Sequence, residues 1–316
     1  PAGRRCSQRQ TNFIWTKRGS SSCPQQRFYI AKISTELSKW RTGGTPITII
    51  NAGCNKGDSI VESMRVWSHN PSISTKSWYL KVAEKIGTGL AQGACGKRYT
   101  SDTKIPLGFD PRPIRAYCIE PAKSTADMLS ALSEYLGYKE LGLHVIRAAV
   151  GERLGKAYFP HVVPGDEVGG IHQERDDDND EVDQITIDKL VESENLNVID
   201  LLSIDTEGND VPVLLGSIMT LATKTVRVIE FEYHNIGRWV YARLEELLDL
   251  LDNLGFDCYW QNANGDLLRL TGCYDEIMTE PDFKTWSNVF CVNRREKRLA
   301  SFVESYAAGL GFGADL

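Results

Sequence analysis

Ile47-Thr48-Ile49-Ile50-Asn51-Ala52-Gly53-Cys54-Asn55-Lys56-Gly57 is the stretch whose reading decides the fold. A short β-branched run ends in glycines, the pattern of a buried strand entering a tight loop. Residues 58–68 then read as a helix, with Ile60, Val61, Met64 and Val66 facing inward. Glycines at 53 and 57 let the chain turn sharply and let a ligand approach the backbone. The helix that follows presents its N-terminus to that ligand. The spacing is G-x-x-x-G. The dinucleotide pattern G-x-G-x-x-G and the phosphate-loop pattern ending in G-K-[ST] are both absent here, which argues against a pyrophosphate cradle. A plain strand-to-helix turn would carry the same glycines, so the rest of the chain has to decide.

Outward from this stretch the chain alternates. Arg115–Ile119 reads as a strand and 122–136 as a helix; Leu143–Val150 is a strand, followed by a long polar loop over 161–184. Val198–Ile204 is a strand and 209–221 a helix; Val226–Tyr233 is a strand and 241–254 a helix. Strand-like pieces follow at Asp257–Gln261, Leu267–Leu270 and Val289–Val292. Strands alternating with helices imply an α/β fold with a mostly parallel sheet covered on both faces. The late pieces imply a C-terminal antiparallel hairpin. Residues 28–42 suggest a helix, preceded by a polar, basic arm over 1–27. Residues 69–113, rich in Ser, Gly, Lys and Pro, read as an insertion, since long structureless loops are uncommon in compact domains. The expected organisation is an N-terminal arm and helix (1–44), one main domain (45–292) and a C-terminal tail (293–316).

In such a sheet, ligands bind outside the carboxyl ends of the strands. Three further constellations lie there. Glu120 follows the strand Tyr117-Cys118-Ile119, where an acid can accept from both hydroxyls of a ribose. An acid before a helix also serves as an ordinary N-terminal charge. Leu201-Leu202-Ser203-Ile204 delivers Asp205 and Glu207, which can bind a cation, take a proton or hold an ammonium group. Glu230, Glu232 and His234 share one face of a strand, and a wholly buried strand would not carry three ionisable groups on one side. His234 suits a general base because its ordinary pKa lies near neutrality. The run Asp176-Asp177-Asp178-Asn179-Asp180-Glu181 reads as solvated charge rather than a metal site.

The 316 residues carry a net charge of −6, with 41% hydrophobic and 25% charged residues. That balance suits a globular protein with a core and argues against nucleic acid, whose phosphates need a basic face. No apolar run approaches the ~20 residues that span a bilayer. The chain begins with Pro1 and its first methionine is Met64, so residue 1 is not expected to be the native start. There are eight cysteines. Cys54 and Cys118 read as small buried residues, while Cys6 with Cys23, and Cys258 with Cys273, can each close a short loop. Such disulfides favour the secretory pathway, for example the Golgi lumen, over the cytoplasm.

Together Ile49–Gly57, Ile119-Glu120-Pro121, Ser203-Ile204-Asp205-Thr206-Glu207-Gly208-Asn209-Asp210 and Ile229-Glu230-Phe231-Glu232 resemble the FkbM family of methyltransferases. The resemblance spans about residues 45–292. It implies a Rossmann-like class I methyltransferase that moves a methyl group from S-adenosylmethionine to a hydroxyl of a glycan or small molecule. It also implies that Asn51, Gly53, Asn55 and Gly57 line the methionine side of the cofactor, that Glu120 holds the ribose, and that Ala148 and Ala149 lie near the adenine. Asp205 would close the amino-acid end, and Glu207, Glu232 and His234 would face the acceptor. Asn51 stands where the family often has Asp, which shifts weight to Asp205. A divalent ion at Asp205, Glu207 and Glu232 is a lesser alternative. The rival readings are a nicotinamide-dependent oxidoreductase, which lacks its glycine spacing, and a binding module without turnover. Trp239, Trp260 and Trp286 are candidates for stacking on a sugar ring.

Overall fold

Every residue of strand β1 (Ile47–Ala52) is buried, because it has a strand on each side and helices above and below. The computed structural model describes residues 26–39, 44–93, 99–105, 108–167, 170, 179–261, 266–274, 284 and 286–308. The strands after β1 are β2 (Ile114–Ile119), β3 (Leu143–Ile146), β4 (Ala149–Val150), β5 (Gly155–Pro160), β6 (Asn179–Ile185), β7 (Val198–Ile204), β8 (Thr225–Tyr233), β9 (Phe256–Gln261), β10 (Leu267–Arg269) and β11 (Ser287–Asn293). Eight of them form one sheet in the order β10-β9-β11-β8-β7-β1-β2-β3. Strands β3, β2, β1, β7 and β8 are parallel. Strand β11 runs antiparallel to both β8 and β9, and β10 antiparallel to β9. The chain winds from β1 to β2 and β3 on one side, then returns to build β7 and β8 on the other. That reversal at β1 and β7 opens a crevice at their carboxyl ends.

Alternate residues of each strand enter opposite cores. Ile50, Ala52, Ile119, Leu202, Ile204, Ile229 and Phe231 join one cluster, covered by α6 (Ile187–Ser193), α7 (Asp210–Leu215), α8 (Ile218–Thr223) and α9 (Leu244–Asn253). Ile47, Ile49, Ala116, Cys118, Leu201, Val228 and Phe290 join the other. That second face is covered by α1 (Gln26–Ser38), α2 (Asp58–Ser68), α3 (Thr75–Ile86), α5 (Lys123–Tyr135) and α10 (Lys297–Ala307), with the short α4 (Thr88–Gln92) beside α3. The helix before the main domain and the helix after it therefore share one core: Ile33 and Leu37 belong to the same cluster as Leu299 and Val303. Each fully buried aliphatic side chain contributes about 1.5–3 kcal/mol.

Four sequence expectations change. Leu143–Val150 is two strands: β3 belongs to the main sheet and β4 to a second, three-stranded sheet of order β4-β6-β5. The expected loop over 161–184 ends in β6, which pairs antiparallel with β5. Inward Ala157, Phe159 and Val182 form that sheet's own small core. The 69–113 insertion carries α3 and α4, because Trp78, Tyr79 and Val82 recur at helical spacing and are buried. Residues 209–221 break into α7 and α8. Of the acidic run, Asp176–Asp178 lie outside the described residues; Asp180 approaches His161 at 3.0 Å and Glu181 approaches Lys156 at 3.2 Å. The expected pairing of Cys6 with Cys23 and the arm over 1–25 also lie outside the described residues.

The cysteine reading is corrected. Cys54 and Cys118 form a disulfide, because the loop after β1 folds back over the end of β2. Cys258 pairs with Cys291 across the neighbouring strands β9 and β11, so the expected loop with Cys273 does not form. Cys273 is itself disulfide-bonded, and no described cysteine is free. The first bridge links residues 64 apart, a separation at which a cross-link stabilises by about 4 kcal/mol through the unfolded chain. Replacing Cys54 and Cys118 together by Ala should lower unfolding stability by about 2–4 kcal/mol in urea titrations under oxidising conditions. An unchanged midpoint would refute the bridge.

Candidate functional site

A cavity of about 480 Å³ opens at the carboxyl ends of the central strands, within the range of small-molecule sites. Its wall joins the loop after β1 to the ends of β2, β7 and β8, with Trp286 and Asn288 from the β11 side and Phe159 and Val162 from the second sheet.

The loop after β1 is shaped by close packing. A Cβ on Gly53, where φ is +84°, would sit 1.6 Å from the backbone oxygen of Asp205. A Cβ on Gly57, where φ is +76°, would sit 2.8 Å from the Trp78 ring. Both glycines also border the cavity, but what demands them is the protein's own backbone and core, not the approach of a ligand. The Trp78 Nε1–H donates to the Lys56 carbonyl at 2.7 Å, so α3 of the insertion supports the loop from beneath. Asn55 follows in a left-handed conformation, φ 44°. Its backbone N–H donates to Glu120 Oε2 at 2.8 Å, while Ala122 N–H donates to Oε1 at 2.9 Å. Glu120 thereby fastens the glycine loop to the end of β2. An ionised carboxylate has about four acceptor positions, which leaves it capacity for two hydroxyls.

The opposite wall is acidic. Glu207 is another non-glycine in the left-handed region, φ 50°, and such strain clusters at functional positions. Burial, reinforced by the charges of Asp205, Asp210 and Glu167, pushes its carboxyl up to about 8. Burial and Asp205 push Asp210 up to about 7. Burial also lifts Glu120 to about 7, opposed by its backbone hydrogen bonds and aided by Asp205. Glu232 is raised well above the ordinary range by burial and by Asp205 and Asp210. Trp286 Nε1–H donates to Glu232 Oε1 at 2.8 Å. Burial drives His234 down to about 4, so it is neutral at physiological pH. Its Nε2 has no hydrogen-bond partner and lies 3.9 Å from Asp210 Oδ2.

The cavity brings together Gly53, Asn55, Gly57, Glu120, Ala148, Asp205, Glu207, Glu232 and His234. Two expected residues stand behind its wall. Asn51 is buried and donates to Ser59 Oγ at 3.2 Å. Ala149 opens β4 and packs into the small second core. Trp239 and Trp260 are core residues, 0% and 7% exposed, while half-buried Trp286 does border the cavity. Sequence reasoning missed Lys56, whose buried ammonium pairs with Glu167. It also missed Phe159 and Val162, which arrive on and just after β5, whose partner strand β6 begins within the expected 161–184 loop; the alternation Ala157, Phe159 was its one local trace. Among the described residues, no three His, Cys, Asp or Glu side chains are placed to hold a metal ion, so Asp205, Glu207 and Glu232 do not form that arrangement.

The family model of the methyltransferase FkbM domain matches residues 102–258. The chain carries an FkbM methyltransferase domain. The match covers Glu120, Asp205, Glu207, Glu232 and His234. Among solved structures, the methyltransferase FkbM from Methylobacillus flagellatus KT is 12% identical with a TM-score of 0.42; the alignment covers 89% of this chain and 50% of that one. This chain thus spans about half of that relative's length. The SAM dependent methyltransferase from Agrobacterium tumefaciens is 9% identical, TM-score 0.36, over 85% of this chain and 62% of that one. The human methyltransferase 10 domain containing protein is 8% identical, TM-score 0.36, over 84% and 81%. No curated protein matches the sequence significantly.

The raised carboxyls of the FkbM domain give a signed pH dependence. Glu120, Glu207 and Asp210 titrate in the folded protein near 7–8 against ordinary values of 3.8–4.5. The folded state therefore holds more protons than the unfolded chain in that window, and stability falls as pH rises. The ligand-free protein should show a melting temperature that declines from about pH 5 to about pH 8. A rise across that interval in calorimetric scans would contradict the assignment.

Proposed function

We propose that the protein transfers the methyl group of S-adenosylmethionine to a hydroxyl oxygen of a glycan or small molecule, in an oxidising compartment of the secretory pathway. The observation that carries this reading is Glu120, held by the backbone N–H of Asn55 inside the cavity of an FkbM domain. The residues suit such a cofactor. It carries positive charge, and the wall is acidic. It has a ribose diol, and Glu120 keeps acceptor capacity beside the glycine loop. Asp205, exposed at the end of β7, is placed for the amino group. The Cys54–Cys118 and Cys258–Cys291 disulfides support the compartment, since such bonds persist where thiols are not kept reduced.

When bound, the cofactor supplies an already activated methyl group. What remains for the protein is alignment, exclusion of water and removal of the hydroxyl proton. A base works best with a pKa near the working pH. Glu207, pushed up to about 8, meets that condition better than His234, pushed down to about 4. A positive charge brought beside Glu207 lowers its pKa and favours the ionised, proton-accepting form. His234 then serves as a neutral hydrogen-bond partner for the acceptor, and Trp286 holds Glu232 in place.

Titration calorimetry with S-adenosylmethionine, its demethylated product and NAD should show binding of the first two and none of the third. Glu120→Ala should weaken cofactor affinity about 10–100-fold, the worth of hydrogen bonds to a charged group. Wild-type affinity in that variant would remove the ribose role. Glu207→Gln should weaken S-adenosylmethionine binding by no more than about ten-fold and, at saturating cofactor, reduce turnover at least about 100-fold. Equal turnover would take it off the catalytic list.

A further inference from the structure

The cavity reaches from the end of β2 to β11, four strand spacings in the sheet order, or about 19 Å. Its glycine loop and Glu120 occupy the β1–β2 end. At the other end Glu230, Glu232 and His234 rise from β8, and Trp286 and Asn288 from the β11 side. Glu232 and Asn288 are direct partners in the antiparallel register of β8 and β11. Two polar atoms here lack any hydrogen-bond partner: Asn288 Oδ1 and His234 Nε2, on residues 4% and 6% exposed. Buried polar atoms are nearly always paired, so two open ones on a single cavity wall mark where a ligand's polar groups belong. Neither lies at the glycine loop and Glu120: β8 stands two to three strands from β1 and β2, and β11 three to four.

The chemistry of that ligand follows from the partners offered. Asn288 Oδ1 only accepts, and Glu232 keeps Oε2 beyond the oxygen given to Trp286. A hydroxyl-rich molecule supplies the donors. An anion finds no free cation here: among the described residues bordering the cavity, Lys56 is the one lysine or arginine, and it sits in the glycine loop committed to Glu167. Lys284 lies over the ring of Tyr233, 5.9 Å from its centroid, and Tyr233 belongs to the core beneath the sheet. Burying an unpaired phosphate or carboxylate beside Glu230 and Glu232 is strongly unfavourable.

We propose that the β8–β11 end of the cavity is the acceptor subsite, and that it takes an uncharged polyol bearing neither phosphate nor carboxylate, with Asn288 as a specificity-determining residue. This rests on the methyl-transfer reading. Asn288 accepts from one acceptor hydroxyl and His234 meets a second, while the indole of Trp286 offers a flat apolar edge to the carbon skeleton. Neither group takes the proton in the reaction. Their part is to choose the molecule and set which hydroxyl faces the cofactor.

The test uses the full chain saturated with S-adenosylhomocysteine, titrated with four matched probes: glucose, glucosamine, glucuronate and glucose 6-phosphate, with binding read by saturation-transfer NMR. Glucose should bind at least ten-fold tighter than glucuronate and glucose 6-phosphate. Asn288→Leu should weaken glucose at least five-fold while leaving S-adenosylhomocysteine affinity unchanged. Equal or tighter binding of either anion, or no binding of glucose at all, would overturn the subsite. So would a folded Asn288→Leu that holds glucose as the wild type does. If Asn288→Leu fails to fold, the wild-type comparison of neutral and anionic probes still decides. Failure of S-adenosylhomocysteine itself to bind is read separately, before any sugar is added, and strikes the methyl-transfer reading on which the subsite depends.

Discussion

Two backbone segments meet at van der Waals limits where Gly53 crosses the Asp205 carbonyl, and the site depends on that crossing. Ladder hydrogen bonding continues past the formal ends of the strands there. Gly53 and Cys54 N–H both donate to Ile119 O, at 3.0 and 3.1 Å, and Asp205 N–H donates to Ala52 O at 2.9 Å. The loop of β1 is therefore pinned to β2 on one side and to β7 on the other. Any side chain at position 53 would force these strands apart. The Cys54–Cys118 bridge and the Glu120 carboxylate fasten the same loop covalently and by hydrogen bonds. Packing, ladder and cross-link act on one turn, at Gly53 and Cys54, and the cavity floor inherits their rigidity.

That rigidity lets the wall carry an unusual electrostatic load. Asp205 lies close enough to raise the proton affinity of Glu207, Asp210 and Glu232. In a flexible pocket they would separate. Here Asp210 is fixed beneath the floor by Trp239 Nε1 at 3.2 Å, and Glu232 by Trp286. The left-handed backbone at Glu207 keeps that side chain at the cavity rather than in solvent. An arrangement of this kind is costly when empty and favourable around a cation, which ties the stability of the fold to occupation of the site.

The remaining walls are made by parts of the chain outside the central alternation. Helix α3 sets Trp78 under the glycine loop. The segment after β5 reaches back to that loop: Asn55 Nδ2 donates to Asp166 O at 3.3 Å, and Lys56 pairs with Glu167. The insertion and the second sheet are thus part of the site's support rather than ornaments on its surface.

Local sequence determined the central strands, because β-branched runs such as Ile47–Ile50 and Val198–Ile204 are recognisable from periodicity alone, and β7 and α2 fall on their expected residues. It likewise determined that Glu120, Asp205, Glu207 and Glu232 stand at strand ends, since an acid after an apolar run has few other places to go. What it did not contain was distance in space. Cys54 finds Cys118, and Cys258 finds Cys291, only after β1 and β9 have taken their neighbours. Ala149 sits between Ala148 and Val150, which both line the cavity, and the pleat, which turns successive side chains to opposite faces, turns it away; Asn51 stops two residues short of Gly53, inside buried β1. The value of each carboxyl's pKa is likewise tertiary, set by burial and by charges from strands far apart in the chain.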